Sequence, residues 1–304
     1  MDKYLSYWEE HLDVDQFNKW HDGVPHMRDT ASLYDLISTL NAKNLLDCGA
    51  GTGHFYGVMN DLRKKRNVKT PEIEYQGLEI TPKYIQYAKE YNIPISYGDI
   101  ENIPYPDQSY DMVMAQNVLN HLHDYRPAIK EMVRVSKKYI VFTMFKDSLE
   151  NLLHGPMSKE AQERCIGWYP GKWDPGNLPI SCPYLGFYPK GTYHSPWIIL
   201  NKNHKLIESE LGLYYVAEKD DNGEPVCIHH HYYFQKLFDY ISHLIEEEGY
   251  DYQFRFSMNG DMSTYYQKNA IEGLTPHPRY YSHMFSFEKI EKEQDMFTTI
   301  SEEK

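Results

Sequence analysis

Leu45-Leu46-Asp47-Cys48-Gly49-Ala50-Gly51-Thr52-Gly53-His54-Phe55 is a short apolar run that ends in an acid, then a glycine-rich turn, then the start of an amphipathic segment. Strand, glycine turn and helix in that order build a βα unit in which the backbone approaches a ligand closely, because glycine adopts dihedrals closed to other residues. The glycines follow G-x-G-x-G directly after an acidic residue, which differs from the G-x-G-x-x-G of NAD and FAD sites. A tight strand-to-helix turn with no ligand is the plain alternative.

The same alternation continues outward from this turn. Asn44 to Cys48 reads as a strand, His54 to Lys65 as a helix, Glu72 to Leu78 as a strand and Pro82 to Tyr91 as a helix. Thr81 is placed to cap that helix, and Pro82 occupies its first position, where a missing N–H costs nothing. Ile93 to Tyr97 and Asp111 to Ala115 follow as strands, about Tyr125 to Ser136 as a helix, and Tyr139 to Phe145 as an apolar strand. This βαβ rhythm predicts a Rossmann-like α/β fold with a mainly parallel, seven-stranded sheet flanked by helices.

Residues 1–41 precede the core as a helical segment or lid, with Leu5, Trp8 and Leu12, then Leu33, Leu36, Ile37 and Leu40, at helical spacing around a break at Asp22-Gly23-Val24-Pro25. Residues 42–147 form the core. Residues 148–304 read as a substrate-recognition insertion and closing strands, rich in aromatic residues. Between Gly155 and Pro196 the chain is dense in Gly, Pro and aromatics, and a loop this long in a compact protein is functional or disordered. Beyond it lie a helix near Lys202 to Leu211, strand-like runs at Tyr214 to Glu218 and Val226 to Tyr233 around an Asp221-Asn222-Gly223 turn, a helix Phe234 to Glu248, and a closing strand Tyr281 to Phe287.

The chain has 304 residues, 41% hydrophobic and 25% charged, and no apolar run long enough for a bilayer. Its first residues lack the basic start and apolar stretch of a secretory signal, so a cytoplasmic location is expected. Cys48, Cys165, Cys182 and Cys227 never form a C-x-x-C pair, which points to free thiols rather than a zinc knuckle or redox pair. A formal charge of −13 repels a phosphate backbone, disfavouring nucleic acid and favouring a small molecule as partner. Oligomeric state is not legible.

The glycine turn and three later segments together resemble the class I S-adenosylmethionine-dependent methyltransferases of the small-molecule type, with their D-x-G-x-G-x-G first motif. Gln76-Gly77-Leu78-Glu79-Ile80 is similar to that family's second motif, Tyr97-Gly98-Asp99-Ile100 to the third, and Asp111 to Leu122 to the fourth strand and the loop after it. The resemblance covers about residues 40 to 145. It implies S-adenosylmethionine as cofactor, with Asp47 orienting the first loop and the methionine ammonium. Gly49, Ala50, Gly51 and Gly53 would lie along the methionine and ribose. Glu79 would accept the ribose hydroxyls, Ile80 would pack on adenine, Asp99 would hold the adenine amino group, and the Ile100 amide would read the ring. Gln116 would face the methionine end.

The chemistry suits such a ligand. S-adenosylmethionine has no phosphate, and its sulfonium and ammonium charges favour acidic surroundings, which Asp47, Glu79 and Asp99 supply. Taken singly, Glu79 is also a helix-capping acid and Asp99 a turn former. Where this family often has a leucine-lysine-proline-glycine-glycine turn, the chain reads Arg134-Val135-Ser136-Lys137-Lys138-Tyr139-Ile140.

Methyl transfer is an in-line displacement, and a base is required only for an acceptor protonated at neutral pH. His121, in the loop after the fourth strand, is the candidate base, with packing or cofactor orientation as the alternative role. Tyr184, Tyr188, Tyr193 and Trp197 are candidates to line the acceptor pocket. In His229-His230-His231, His229 and His231 share a face of an extended strand and could join His194 or His204 at a metal; a polar strand beside aromatics is the simpler account, and no metal is assigned. O-methylation of a metabolite, natural-product or sugar hydroxyl is favoured over N-methylation. The alternatives are a catalytically silent binding or partner subunit and, opposed by the glycine spacing, an NAD-type oxidoreductase.

Overall fold

Strand β1 (Asn44–Cys48) pairs in parallel with β2 (Glu74–Glu79) on one side and β4 (Tyr110–Gln116) on the other, so the glycine turn leaves the middle of a sheet at its carboxyl edge. With β3 (Ile95–Tyr97), β5 (Ser136–Phe145), β9 (Tyr250–Met258) and β10 (Ser282–Glu291), the computed structural model has a seven-stranded sheet in the order β3-β2-β1-β4-β5-β10-β9. It describes residues 8–9, 13–22, 24–67, 73–145, 207–219, 221–223, 225–232, 234–258 and 282–292. Strand β10 runs antiparallel to both its neighbours, and the rest of the sheet is parallel, as the alternation predicts.

The helices flank it: α1 (Val14–His21), α2 (Val24–Thr39), α3 (His54–Lys65), α4 (Pro82–Glu90), α5 (Arg126–Val135) and α6 (Phe234–Glu247). On one face, Ala128, Ile129, Met132 and Val133 of α5 and Leu237, Phe238 and Ile241 of α6 bury against Val113, Ile140, Phe142, Phe254, Phe285 and Phe287 of the sheet. On the other, Leu33, Leu36, Ile37 and Leu40 of α2 and Phe55 and Met59 of α3 cover Leu45, Met112, Met114 and Val141. Alternate residues of each central strand therefore serve opposite cores, which is why these strands are apolar throughout. No helix among the described residues is long and apolar enough to cross a membrane.

Helix α5 runs straight into β5. The Lys289 Nζ on β10 takes over the end of the helix. It is buried and donates to the carbonyls of Val133 and Ser136 (2.7 and 2.8 Å), with Glu248 as its ion-pair partner. A cation among the last carbonyls satisfies orphan acceptors and complements the helix dipole.

A second sheet of three antiparallel strands, β6 (Ile207–Glu208), β7 (Gly212–Lys219) and β8 (Pro225–Tyr232), stands apart from the first. The expected helix over Lys202–Leu211 is corrected where it is described. Ile207 and Glu208 pair with Tyr214 and Leu213, and Ser209 closes the turn through three bonds with Gly212. Backbone pairing to β7 outweighs the helical spacing of the apolar residues. Strand β9 has no counterpart in the sequence reading. Thr81 is a second correction: it stands at the N-cap of α4, but its hydroxyl makes no cap bond to the helix and turns to Glu79.

Candidate functional site at the carboxyl edge of the sheet

Asp47, the penultimate residue of β1, is buried and accepts a hydrogen bond from the Tyr75 hydroxyl at 2.7 Å. The chain then turns through Gly49 (φ 74°) and Gly51 (φ 56°), left-handed positions that glycine occupies without strain. The amides of Gly49 and Ala50 both donate to the Leu78 carbonyl, which ties the turn to β2. The Gly51 amide donates to Glu79 Oε2 at 2.7 Å, and Ile80 and Thr81 donate to Oε1 at 3.0 and 2.9 Å. Glu79 is thus a bracket between the glycine turn and the head of α4.

The two carboxylates are close enough to repel each other. Burial, and to a smaller extent the Glu79 charge, raise the Asp47 pKa to about 7 against the lowering effect of Tyr75. Burial also raises that of Glu79, opposed by its amide donors. Neither takes part in the ion pairs among the described residues. Two desolvated acids without a cation favour a ligand that brings positive charge.

Asp99 lies next along the same edge. Strand β3 brings Tyr97 opposite Glu79, the Gly98 amide donates to the Glu79 carbonyl, and Asp99 Oδ1 accepts the Glu101 amide at 2.8 Å. Its loop is held from below by Arg134, which donates to the carbonyls of Ile103 and Tyr105 and pairs with Glu131 and Asp107; Glu131 in turn accepts the Ile103 amide. Ile80 is half-buried, whereas the Ile100 side chain belongs to the core. Asp47, Glu79, Asp99 and the glycine turn therefore share one stretch of the sheet's edge. Gln116, at the end of β4, donates to Thr30 Oγ1 of α2 at 2.8 Å.

Helix α1 covers the glycine turn. Its Phe17 ring packs at a tilt against Tyr84, with centroids 4.5 Å apart, and a Cβ on Gly51 would come within 2.6 Å of it; Thr52 Oγ1 donates to Asn18 Oδ1 at 2.6 Å. Val118 presses on Gly49 in the same way, so the loop after β4 meets the turn from its other side.

That loop carries His121 in a single 3-10 turn, Leu119–His121. The second sheet docks on it. The buried Asn120 donates Nδ2 to the His230 carbonyl (2.8 Å), His230 Nδ1 lies 2.7 Å from the Leu122 carbonyl, and the Tyr232 hydroxyl donates to the same carbonyl at 2.6 Å. The His121 ring bonds the Ile228 backbone and stands edge-on to His229 (4.9 Å) and Trp8 (5.2 Å). Burial lowers its pKa to about 4, so its imidazole is neutral near neutrality and only weakly basic. Of the histidine run, His229 faces His121 while His230 is enclosed between Tyr214 and Tyr232. His194, His204, Tyr184, Tyr188, Tyr193, Trp197, Cys165 and Cys182 lie outside the described residues.

Sequence reasoning did not single out Tyr75, Asn120, Phe17 or Cys227. The first two had a signal: Tyr75 immediately precedes the Glu79 motif, and Asn120 adjoins His121. Phe17 and Cys227 reach the site only through tertiary packing.

Residues 40–177 match a family model described as a methyltransferase domain. Ajmaline N-methyltransferase of Rauvolfia serpentina is 28% identical over 132 residues, 41% of this chain and 43% of the relative. A malonyl-[acyl-carrier protein] O-methyltransferase of Yersinia pestis is 32% identical over 113 residues, covering 36% of this chain and 39% of its own. The chain spans less than half the length of these curated relatives. Among solved structures, a SAM-dependent methyltransferase of Thermotoga maritima described as a possible histamine N-methyltransferase superposes with a TM-score of 0.47 at 13% identity, over 94% of this chain and 99% of that one.

Proposed function

We propose that this chain, whose residues 40–177 match a methyltransferase-domain model, is a class I S-adenosylmethionine-dependent methyltransferase that binds its cofactor at the carboxyl edge of the parallel sheet and methylates a small-molecule acceptor. The observation that carries this reading is the pair of buried, uncompensated carboxylates, Asp47 and Glu79, joined to a left-handed glycine turn. When bound, the cofactor supplies a methyl carbon on a sulfonium, open to in-line displacement by an acceptor.

The chain's residues divide the work. Asp47 offers its charge to the methionine ammonium or the sulfonium. Gly49, Ala50, Gly51 and Gly53 leave room along the methionine and ribose. Glu79 already accepts three backbone amides of the roughly four donors a carboxylate accommodates, so a ribose hydroxyl reaches it by replacing the Thr81 hydroxyl. Ile80 and Asp99 with the Ile100 amide flank the adenine, and Gln116 closes the methionine end. His121 borders the acceptor, together with Tyr184, Tyr188, Tyr193 and Trp197 of the insertion.

In this reading residues 1–41 act as a lid, 42–147 as the cofactor core, and 148–304 as acceptor recognition with the closing strands. A hydroxyl acceptor is favoured over an amine, since the neutral imidazole of His121 in the loop after β4 can take a hydrogen bond from an O–H. Calorimetry with S-adenosylmethionine against NAD tests the cofactor. Release of S-adenosylhomocysteine with panels of small hydroxyl and amine compounds tests the acceptor. Binding of NAD in preference, or of neither below millimolar concentration, overturns the reading.

A further inference from the structure

Strand β8 and the 3-10 turn after β4 bring three metal-ligating side chains together from distant parts of the sequence. His121 comes from the turn, and Cys227 and His229, two residues apart, point from one side of β8. One ligand atom of each lies within 4.8 Å of the others. The grouping is not a by-product of a loose loop. The Asn120, His230 and Tyr232 hydrogen bonds fix β8 to the turn through the opposite side of the strand.

We propose that His121, Cys227 and His229 form a binding site for a zinc-class divalent transition ion, with three protein ligands and one open position. Two imidazoles and a thiolate are a borderline-soft donor set, which selects zinc or cobalt over magnesium or calcium. Two imidazoles on one tetrahedral ion, with metal–nitrogen bonds of about 2.0–2.1 Å, have ring centres about 5 Å apart; the His121 and His229 centres are 4.9 Å apart. Ligand atoms around zinc stand roughly 3.3–3.6 Å from one another, so the triad closes by side-chain rotation within its present separation. An outer-shell partner is present as well, because the His121 ring bonds the Ile228 backbone. Metal-bound histidines characteristically spend their second nitrogen in this way.

Three ligands with a vacant fourth position mark a site that takes an exogenous oxygen or sulfur donor rather than a purely structural one. Val118, three residues before His121 in the same loop, lies against Gly49 of the glycine turn, so the loop that carries one ligand also meets that turn. Resting on the methyl-transfer reading, this makes the acceptor class a small hydroxyl or thiol compound, whose proton is lost to solvent on coordination. The metal site itself does not depend on that reading.

The test uses the full chain, stripped with a chelator and titrated with Co²⁺ without cofactor or acceptor, followed by competition with Zn²⁺. One equivalent of Co²⁺ is expected, with a thiolate-to-cobalt charge-transfer band that persists in a Cys165→Ser/Cys182→Ser variant and disappears in Cys227→Ser. His229→Gln and His121→Gln should each weaken binding at least tenfold, while His123→Ala should bind as the parent does. No charge-transfer band in the parent, a band that survives Cys227→Ser, or loss of the band with Cys165 and Cys182 overturns the site. Should Cys227→Ser fail to fold by circular dichroism, the parent spectrum and the Cys165→Ser/Cys182→Ser and His229→Gln variants decide it. Calorimetry with S-adenosylmethionine on the same samples keeps failure of the metal site separate from failure of the cofactor reading.

Discussion

Binding of S-adenosylmethionine should release a proton from Asp47. The carboxyl titrates at about 7 in the folded protein because it is buried beside Glu79. A neighbouring cation lowers a carboxyl pKa by about 1–3 units. With Asp47 about half protonated near pH 7, cofactor binding should expel roughly half a proton there, roughly 0.4 to 0.9 near pH 6 according to the size of the shift, and almost none above about pH 9. Linkage then requires affinity to rise toward tenfold per pH unit below about 7 and to level off above it. Calorimetry in phosphate and in Tris, whose ionisation enthalpies differ, reads the proton count directly. Asp47→Asn should abolish the buffer dependence and weaken binding. The stability of the free protein follows with the opposite sense. The folded pKa lies above the unfolded value of 3.8, so the folded state holds the extra proton, and stability falls as pH rises from about 4 to 7, by roughly 4 kcal/mol from this group. Asp47→Asn should therefore resist urea better than the parent at about pH 8, and equally well near pH 4. Tight binding whose enthalpy is the same in both buffers between about pH 6 and 7 would refute the reasoning.

Glu79→Gln replaces one acceptor oxygen with an amide that opposes backbone N–H groups, and should cost about 1.5–3 kcal/mol of cofactor affinity, measured by calorimetry; unchanged affinity would remove Glu79 from the ribose site. Gly51→Ala places a Cβ at a φ of 56° and 2.6 Å from Phe17, so it should lower stability by roughly 1–3 kcal/mol. Phe17→Leu in the same chain should return part of that loss by thermal unfolding; no recovery would mean that the backbone alone carries the penalty. Lys289→Met leaves two carbonyls unpaired inside the protein, while the exposed Glu248 turns to solvent, and should destabilise by about 1–3 kcal/mol in denaturant melts, whereas the exposed Lys236→Met should fall within about 0.5 kcal/mol of the parent.

The parallel half of the sheet is legible in the sequence because each element there is decided locally. The β1 run, the glycine turn and the Pro82 helix start each carry their own signal, and the observed bounds of β1 and α3 match the reading to the residue. The edge positions of Asp47, Glu79 and Asp99 follow from that, since each sits at or just after the end of a strand. The approach of β8 to His121 is not legible, because it depends on pairing between residues more than 100 apart, and nothing in the histidine run alone says which ring faces the site. Strand β9 shows the limit from the other side. Tyr250, Tyr252, Phe254 and Phe256 recur at every second residue, a clear period of two, yet only the sheet supplies the neighbour that makes it a strand. The Ile207–Leu211 part of the expected Lys202–Leu211 helix is extended for the related reason that apolar spacing over so short a run fits both periods.

Strand β10 lies between β5 and β9, so β5 gains its second neighbour from residues made much later than itself: Phe285 stacks on Phe142, which emerges from the ribosome about 140 residues earlier. Until then β5 is an unpaired apolar edge, an invitation to association with other nascent chains. Closure of so large a loop is slow relative to local helix formation. Trimming the chain to its family-matched segment should therefore yield an insoluble product rather than a smaller enzyme, and a chaperone that shields β5 during synthesis should raise the recovery of the whole protein.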